Sequence, residues 1–180
     1  SPSRTPANGC TRSRSSGYSR SERSERHKTQ DGGFRPPGVT PLASDLYVGD
    51  ALDAARGDAL VATGIEGVLR LTHSPPDEPY PESFRVDVVE LIDGPQNDPG
   101  ATRRAIATLR DRLAAGQTTL VHCSAGASRS VCVAAGALAC RRGEPFADAL
   151  EDVRDTHPPS QPHPSLVGHA ERAVERLRAD

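Results

Sequence analysis

The chain has 180 residues, 35% of them hydrophobic, with a formal net charge of −2, 16 Gly, 16 Pro, 4 Cys and no Met or Trp. That length suits one ordinary domain plus a tail rather than two full domains, and no run approaches the ~20 apolar residues of a bilayer-spanning helix. The cysteines at 10, 123, 132 and 140 are too few and too irregular for a disulfide framework and lack the paired spacing of a structural zinc site. Free thiols and the lack of a span lead to the expectation of a soluble, cytoplasmic domain.

Charge divides the chain. Residues 1–39 hold eight basic groups against three acids, whereas 40–180 hold fourteen arginines against twenty-one acids. The first stretch is mostly Ser, Arg, Gly and Thr, without helical or strand period and with no apolar anchor beyond Tyr18 and Phe34. Such a segment cannot bury enough surface to offset its ordering entropy, so residues 1–38 are expected to form a disordered basic tail ahead of a folded domain at 39–180. Three origins for it stay open. It is an arm for a phosphate-bearing surface, a targeting segment without the apolar stretch of a secretory signal, or an extension foreign to the native chain. The last is considered because no Met opens the numbering and a valine codon at Val39 can serve as a start.

In chain order, Leu46-Tyr47-Val48-Gly49 reads as a short strand. Asp50 then caps an Ala-rich helical stretch in which Leu52, Ala55, Ala59 and Leu60 fall at helical spacing. Val68 to Thr72 is a strand, the prolines at 75, 76, 79 and 81 mark a loop, and Phe84 to Ile92 is a β-branched strand. Asp93 to Pro99 is a loop. Between Ala101 and Ala115, Ala105, Ile106, Leu109 and Leu113 define one helical face, with Arg and Asp opposite. Thr118 to Val121 is a buried strand, Ser128 to Cys140 a helix apolar nearly all round, and shorter helices follow near 145–154, with Pro145 as first residue, and near 165–178. Strands alternating with helices predict an α/β layer fold: a central, mostly parallel (mixed) sheet flanked by helices.

The segment from Leu120 to Ser130 carries chemistry. A buried strand runs into a loop of small residues and then into a buried helix, which is how backbone N–H groups and a helix N-terminus build an anion site. Ser124, Ala125, Gly126, Ala127 and Ser128 are small enough to curl round a tetrahedral phosphate, Gly126 relieves the tightest bend, and Arg129 supplies a planar two-pronged donor. A thiol at the mouth of this cradle ionises near neutral pH, which makes Cys123 a nucleophile aimed at phosphorus. Ser130 can donate a hydroxyl to the sulfur. Cys with Arg six residues later is weak alone; adding His before, Gly at the third position and Ser after lowers chance occurrence to roughly 10⁻⁴.

His122-Cys123-Ser124-Ala125-Gly126-Ala127-Ser128-Arg129-Ser130 resembles the HCxxGxxRS signature of the cysteine-dependent protein tyrosine phosphatases, in their dual-specificity branch. Looser likeness extends over about residues 43–177. The resemblance implies a protein tyrosine phosphatase-like sheet, a cysteinyl-phosphate intermediate and no metal or other cofactor. It also implies a proton-donating Asp about thirty residues before the Cys. Asp93 fits that place, at the end of a strand and before Gly94-Pro95, with Asp98 in reserve. Where the branch shows Arg-Pro and then Pro-Asn, this chain has His157 and His163, read as structural. His122 faces away from the nucleophile on its strand and is read as a hydrogen-bonder that fixes the loop. Cys132 and Cys140 are read as core thiols, with a resolving role for oxidised Cys123 as the alternative.

The expected function is phosphomonoester hydrolysis on phosphoproteins, at phosphotyrosine and at phosphoserine or phosphothreonine. The loop lacks the Lys that accompanies inositol phospholipid substrates in the family, so an inositol phosphate, a phospholipid or an RNA 5′ end is the alternative. A catalytically silent phospho-binding module is a second alternative, and a sulfurtransferase or arsenate reductase fits the flanking pattern less well. The expected partner is a phosphorylated protein, with no stable nucleic-acid partner, and the expected state is a monomer.

Overall fold

The computed structural model describes residues 38–180, so the expected tail, Gly38 apart, lies outside the described residues. In chain order the elements are β1 (Thr40–Ala43), β2 (Leu46–Gly49), α1 (Ala51–Ala54), α2 (Gly57–Ala62), β3 (Gly67–Arg70), β4 (Arg85–Val88), α3 (Pro99–Ala114), β5 (Thr119–His122), α4 (Arg129–Arg142), α5 (Phe146–Thr156) and α6 (Pro164–Ala179). The strands form one sheet in the order β1-β2-β5-β3-β4. β1 is antiparallel to β2, and every other pairing is parallel, so the sheet is mixed.

β5 is the central strand and is buried throughout. Side chains alternate across a strand, and the alternation divides two cores. Val121 and Cys123 join Leu46, Val48, Leu69 and Leu71 under α3, α4, α5 and α6, whereas Leu120 and Val68 join Ala54, Leu60, Ile65 and Phe84 on the side of α1 and α2. α4 lies at the centre of the larger core, against β2, β5, α3, α5 and α6. Its residues from Ser130 to Ala139 are all buried, as expected of a helix apolar on every side.

Several elements depart from the sequence reading. β1 was not expected: Thr40–Ala43 turns back on β2 through Ser44-Asp45, with an irregular register between Pro41 and Ala43. Pro41 is tolerated there because β1 is an edge strand. The single Ala-rich helix is two short ones, and Leu52 is 73% exposed rather than on the core face; Ala54 is buried in its stead. A capping box between Asp50 and Asp53 fixes the start of α1 as the sequence indicated. β4 stops at Val88, and Val86 and Val88 are exposed because this strand is the opposite edge of the sheet.

Arg112 departs most. It belongs to the arginines expected on the solvent face of α3, yet it is 3% exposed. Its guanidinium reaches under the sheet and donates to Asp87 (2.6 Å), to the Arg85 carbonyl (3.1 Å) and to Thr119 Oγ1 (3.2 Å). Gly67 makes room for it, since a Cβ there would sit 1.8 Å from Arg112 Nη2. This one side chain ties α3 to β3, β4 and β5, and removing it leaves the half-buried Asp87 carboxylate and the carbonyls of Val68 and Arg85 without their donor. Arg112→Met should therefore lower the unfolding free energy by about 3 kcal/mol. A urea midpoint within error of the native value would contradict that role.

Candidate active site

β5 delivers His122 and then Cys123 to the C-terminal edge of the parallel strands, where α/β sheets bind ligands. The loop 123–128 curls there before α4 begins at Arg129. Gly126 makes the curl possible: its φ is +66°, and a Cβ would lie 2.9 Å from the backbone carbon and oxygen of Gly49. Ser128, at the N-cap position of α4, makes no side-chain bond to the helix amides, so the first turn keeps its N–H groups and its positive end for an anion.

Four carbonyls of this loop accept from elsewhere in the fold or from its flank. Cys123 O faces His122 Nδ1 (3.3 Å), Ser124 O accepts from the Ala51 amide (3.2 Å), Gly126 O from His157 Nε2 (2.8 Å) and Ala127 O from the Gln161 amide (2.7 Å). With the carbonyls engaged outward, amides are left to face inward. Those of Gly126 and Ser130 favour the ionised form of the Cys123 thiol.

Cys123 is 2% exposed, with its Sγ 3.3 Å from Ser130 Oγ. Burial alone would push this thiol up. The Ser130 hydroxyl and amide, the Arg129 charge and the Gly126 amide outweigh it, and the thiol titrates below its ordinary value. Arg129 donates from Nη1 to the Leu91 carbonyl (3.0 Å) and from Nη2 to Ser124 Oγ (3.0 Å). The guanidinium therefore spans from the Cys123 loop to the segment after β4 that carries Asp93.

The structure separates the two acids considered for the proton donor. Asp93 is exposed, beside the phosphate loop, and accepts from Ser128 Oγ at 2.6 Å. Asp98 is spent on α3: its Oδ1 accepts from the Gly100 amide (3.0 Å) as N-cap, and Oδ2 lies 3.5 Å from Arg104. Sequence reasoning missed Asn97, whose buried amide accepts from the Ile92 N–H (2.7 Å) and donates to the carbonyls of Ile92 and Gly94. Asn97 closes the loop that holds Asp93. Its place in a cluster of Gly, Pro, Asn and Asp was the available signal.

His122 is fully buried and points to the face opposite Cys123. Burial pushes it down to about 4, and the nearby Arg70 and Arg129 charges act in the same direction. The ring is thus neutral, donating from Nδ1 to the Cys123 carbonyl and accepting at Nε2 from the Tyr80 hydroxyl (2.7 Å). Burial holds Tyr80 up at about 12, so it keeps that proton. Nothing in the proline-rich loop around Tyr80 marked it for this contact. His157 and His163, which stand where the branch has Arg and Asn, both touch the loop. His157 donates to Gly126 O while its Nδ1 accepts from the Thr40 hydroxyl (2.7 Å), and the His163 amide donates to Ser128 Oγ (2.9 Å). Cys132 is buried on α4, where burial pushes its thiol up to about 12, and Cys140 is half-buried; both are free. Cys10 lies outside the described residues. Among the described residues no group of three or more His, Cys, Asp or Glu is placed to hold a metal ion.

No family model matches the chain. Over 143 residues it is 27% identical to dual specificity protein phosphatase 1B of Arabidopsis thaliana, covering 79% of this chain and 85% of the relative. It is 24% identical over 144 residues to dual specificity phosphatase 28 of Mus musculus, covering 80% and 88%. A crystal structure of a human DUSP28 variant superposes with a TM-score of 0.71 at 26% identity, over 80% of this chain and 99% of that one. Fold, relatives and a thiol held in an anion-binding loop define a cysteine-dependent phosphatase. Within that class, the chain is similar in sequence and in fold to the dual-specificity branch of the protein tyrosine phosphatase family.

Two outcomes follow from the charges around the loop. Ser130→Ala removes a donor to the sulfur, so the pH midpoint of Cys123 alkylation by iodoacetamide, followed site by site by mass spectrometry, should rise. An unmoved midpoint would assign the lowered titration to the amides and Arg129 alone. For His122 the unfolded ring binds a proton near 6.5 and the folded one only near 4. The unfolded state therefore binds more protons between those values, and stability is lost as pH falls through that window, by up to about 3 kcal/mol. Denaturant titrations of His122→Gln should lack that share of the acid loss, and an unchanged slope would contradict it.

Proposed function

We propose that the chain hydrolyses phosphomonoesters on proteins, at phosphotyrosine and at phosphoserine or phosphothreonine, through a cysteinyl-phosphate intermediate. The observation that carries this reading is the convergence on one loop of a thiol that titrates below its ordinary value, a guanidinium and an exposed carboxyl. Cys123 Sγ attacks phosphorus while Arg129 and the loop amides hold the phosphate oxygens. As the P–O bond breaks, Asp93 gives the leaving oxygen its proton, and by microscopic reversibility it takes one from the water that attacks the phosphocysteine. Ser130 donates to the sulfur as it departs. Ser124, Ala125, Gly126, Ala127 and Ser128 form the cradle.

A protein substrate is supported by the relatives and by the absence of Lys inside the loop, together with the acidic balance of residues 40–180. Both disfavour polyanions such as inositol phosphates or RNA ends. On this reading 39–180 is the catalytic unit and a monomer suffices. The cytoplasm is the matching compartment because Cys123 must stay reduced; no helix among the described residues is long and apolar enough to cross a membrane.

Turnover of phosphopeptides, an activated aryl phosphate and an inositol phosphate tests the reading. Cys123→Ser should abolish turnover and keep phosphopeptide binding, and Arg129→Lys should cripple the enzyme because a point charge cannot replace the fork. Asp93→Asn should slow phosphopeptide hydrolysis by roughly 10²–10⁴-fold and the activated ester far less. Asp98→Asn should show no such discrimination and should fold as the native chain does, because Asn caps a helix about as well as Asp. Preference for the inositol phosphate would overturn the substrate class, and binding without turnover by the native chain would make it a silent module.

A further inference from the structure

We propose that Ser128 is a positioning residue for the proton donor: its hydroxyl latches Asp93 to the phosphate loop in a single orientation. The inference rests on the reading of Asp93 as general acid.

Ser128 is the last loop residue before Arg129, and at 5% exposure its hydroxyl is closed off from solvent. Two groups reach its oxygen. The His163 amide points its hydrogen at Oγ from 2.9 Å, and Asp93 Oδ1 lies 2.6 Å away. A hydroxyl has one hydrogen to give. The His163 N–H can only donate, so the Ser128 proton is directed to Asp93. The chain of donors runs one way, from the segment that begins α6, through Ser128, to the acid. Ser128 therefore serves the phosphate cradle with its backbone, while its side chain is committed to the acid loop.

The latch has a chemical consequence. Asp93 is exposed, and an exposed carboxyl on a Gly-Pro loop would otherwise sample several rotamers, each a loss of the orientation that proton transfer needs. With Oδ1 held by Ser128, the transferable proton belongs on Oδ2, the oxygen left to face the leaving group. The bond serves both halves of the cycle, because Oδ1 accepts in the neutral carboxyl and in the carboxylate alike. The loop's backbone is fixed separately, by Asn97 at Ile92 and Gly94 and by Arg129 at the Leu91 carbonyl. Those contacts set where residue 93 sits; Ser128 sets how its carboxyl is turned. His163 takes part through its amide while its ring caps α6 by accepting from the Ser165 amide (3.1 Å). The start of that helix is the fixed end of the latch.

The test is a double-mutant cycle between Ser128→Ala and Asp93→Asn, read with a phosphopeptide and with an activated aryl phosphate. Ser128→Ala should lower kcat on the phosphopeptide about 10- to 100-fold, the scale of a hydrogen bond to a charged group, with KM little changed. On the aryl ester it should cost under about 3-fold. In the Asp93→Asn background it should cost nothing further on the phosphopeptide. Ser128→Gly runs beside it, so that failure of one variant to fold leaves the cycle complete. Equal loss on both substrates, a raised KM, or full additivity with Asp93→Asn would overturn the latch and return Ser128 to phosphate binding or loop structure. If Asp93→Asn discriminates between the substrates and Ser128→Ala does not, the latch alone falls. If Asp93→Asn does not discriminate, the general-acid reading falls first and the latch with it.

Discussion

A loop that turns its N–H groups inward on an anion must turn its C=O groups outward, and each buried carbonyl then needs a donor from another part of the chain. In the 123–128 loop those donors come from three directions. The start of α1 supplies the Ala51 amide, the segment ahead of α6 supplies His157 and Gln161, and β5 itself supplies His122. The arrangement of short helices and turns around the C-terminal edge of the sheet follows from that demand. The Gly126 and Ser130 amides, with the Ser130 hydroxyl and the Arg129 charge, then act together to lower the titration of Cys123.

The same demand accounts for the histidines. A side chain that backs a phosphate loop has to donate to a carbonyl, and a guanidinium, an amide or an imidazole N–H will do. His157 meets that need at Gly126 and is itself oriented by the Thr40 hydroxyl, which gives β1 a share in the site. His122 meets it at Cys123 and must be neutral to accept from Tyr80 as well. Its burial beside two arginines keeps it so. Arg129, beside the Cys123 loop, and the buried Arg112 illustrate opposite uses of one side chain. Arg129 keeps its prongs at the rim of the site on exchangeable partners, whereas Arg112 is closed within the fold by Asp87, Thr119 and backbone carbonyls.

The strand-loop-helix from Leu120 to Ser130 was legible because everything that defines it is contiguous: a buried strand, small residues, a positive-φ glycine and a helix start. Strand alternation likewise placed His122 and Cys123 on opposite faces. Edges and ends were less legible. β1 is too short and too proline-bearing to carry a period, β4 has the β-branched residues of a buried strand but lies at an edge, and the break at Arg56-Gly57 splits a stretch whose composition is helical throughout. Asn97 and Tyr80 sit in loops where residue type suggests a turn and nothing more.

The sequence by itself determined the strand-loop-helix that sets Cys123, the small-residue loop and Arg129 side by side, and the class of fold, because backbone conformation and the chemistry of adjacent side chains are local properties. It also confined the expected proton donor to one loop. Only the tertiary structure decided which acid of that loop lies against the 123–128 loop. Asp93 and Asp98 differ by five positions and by no local rule, until the start of α3 takes Asp98 as its cap and Ser128, thirty-five residues along the chain from Asp93, takes Asp93. The donors behind the loop and the burial of Arg112 were settled the same way. Each depends on groups distant in the chain being brought within about 3 Å, and packing, which no periodicity records, sets that separation.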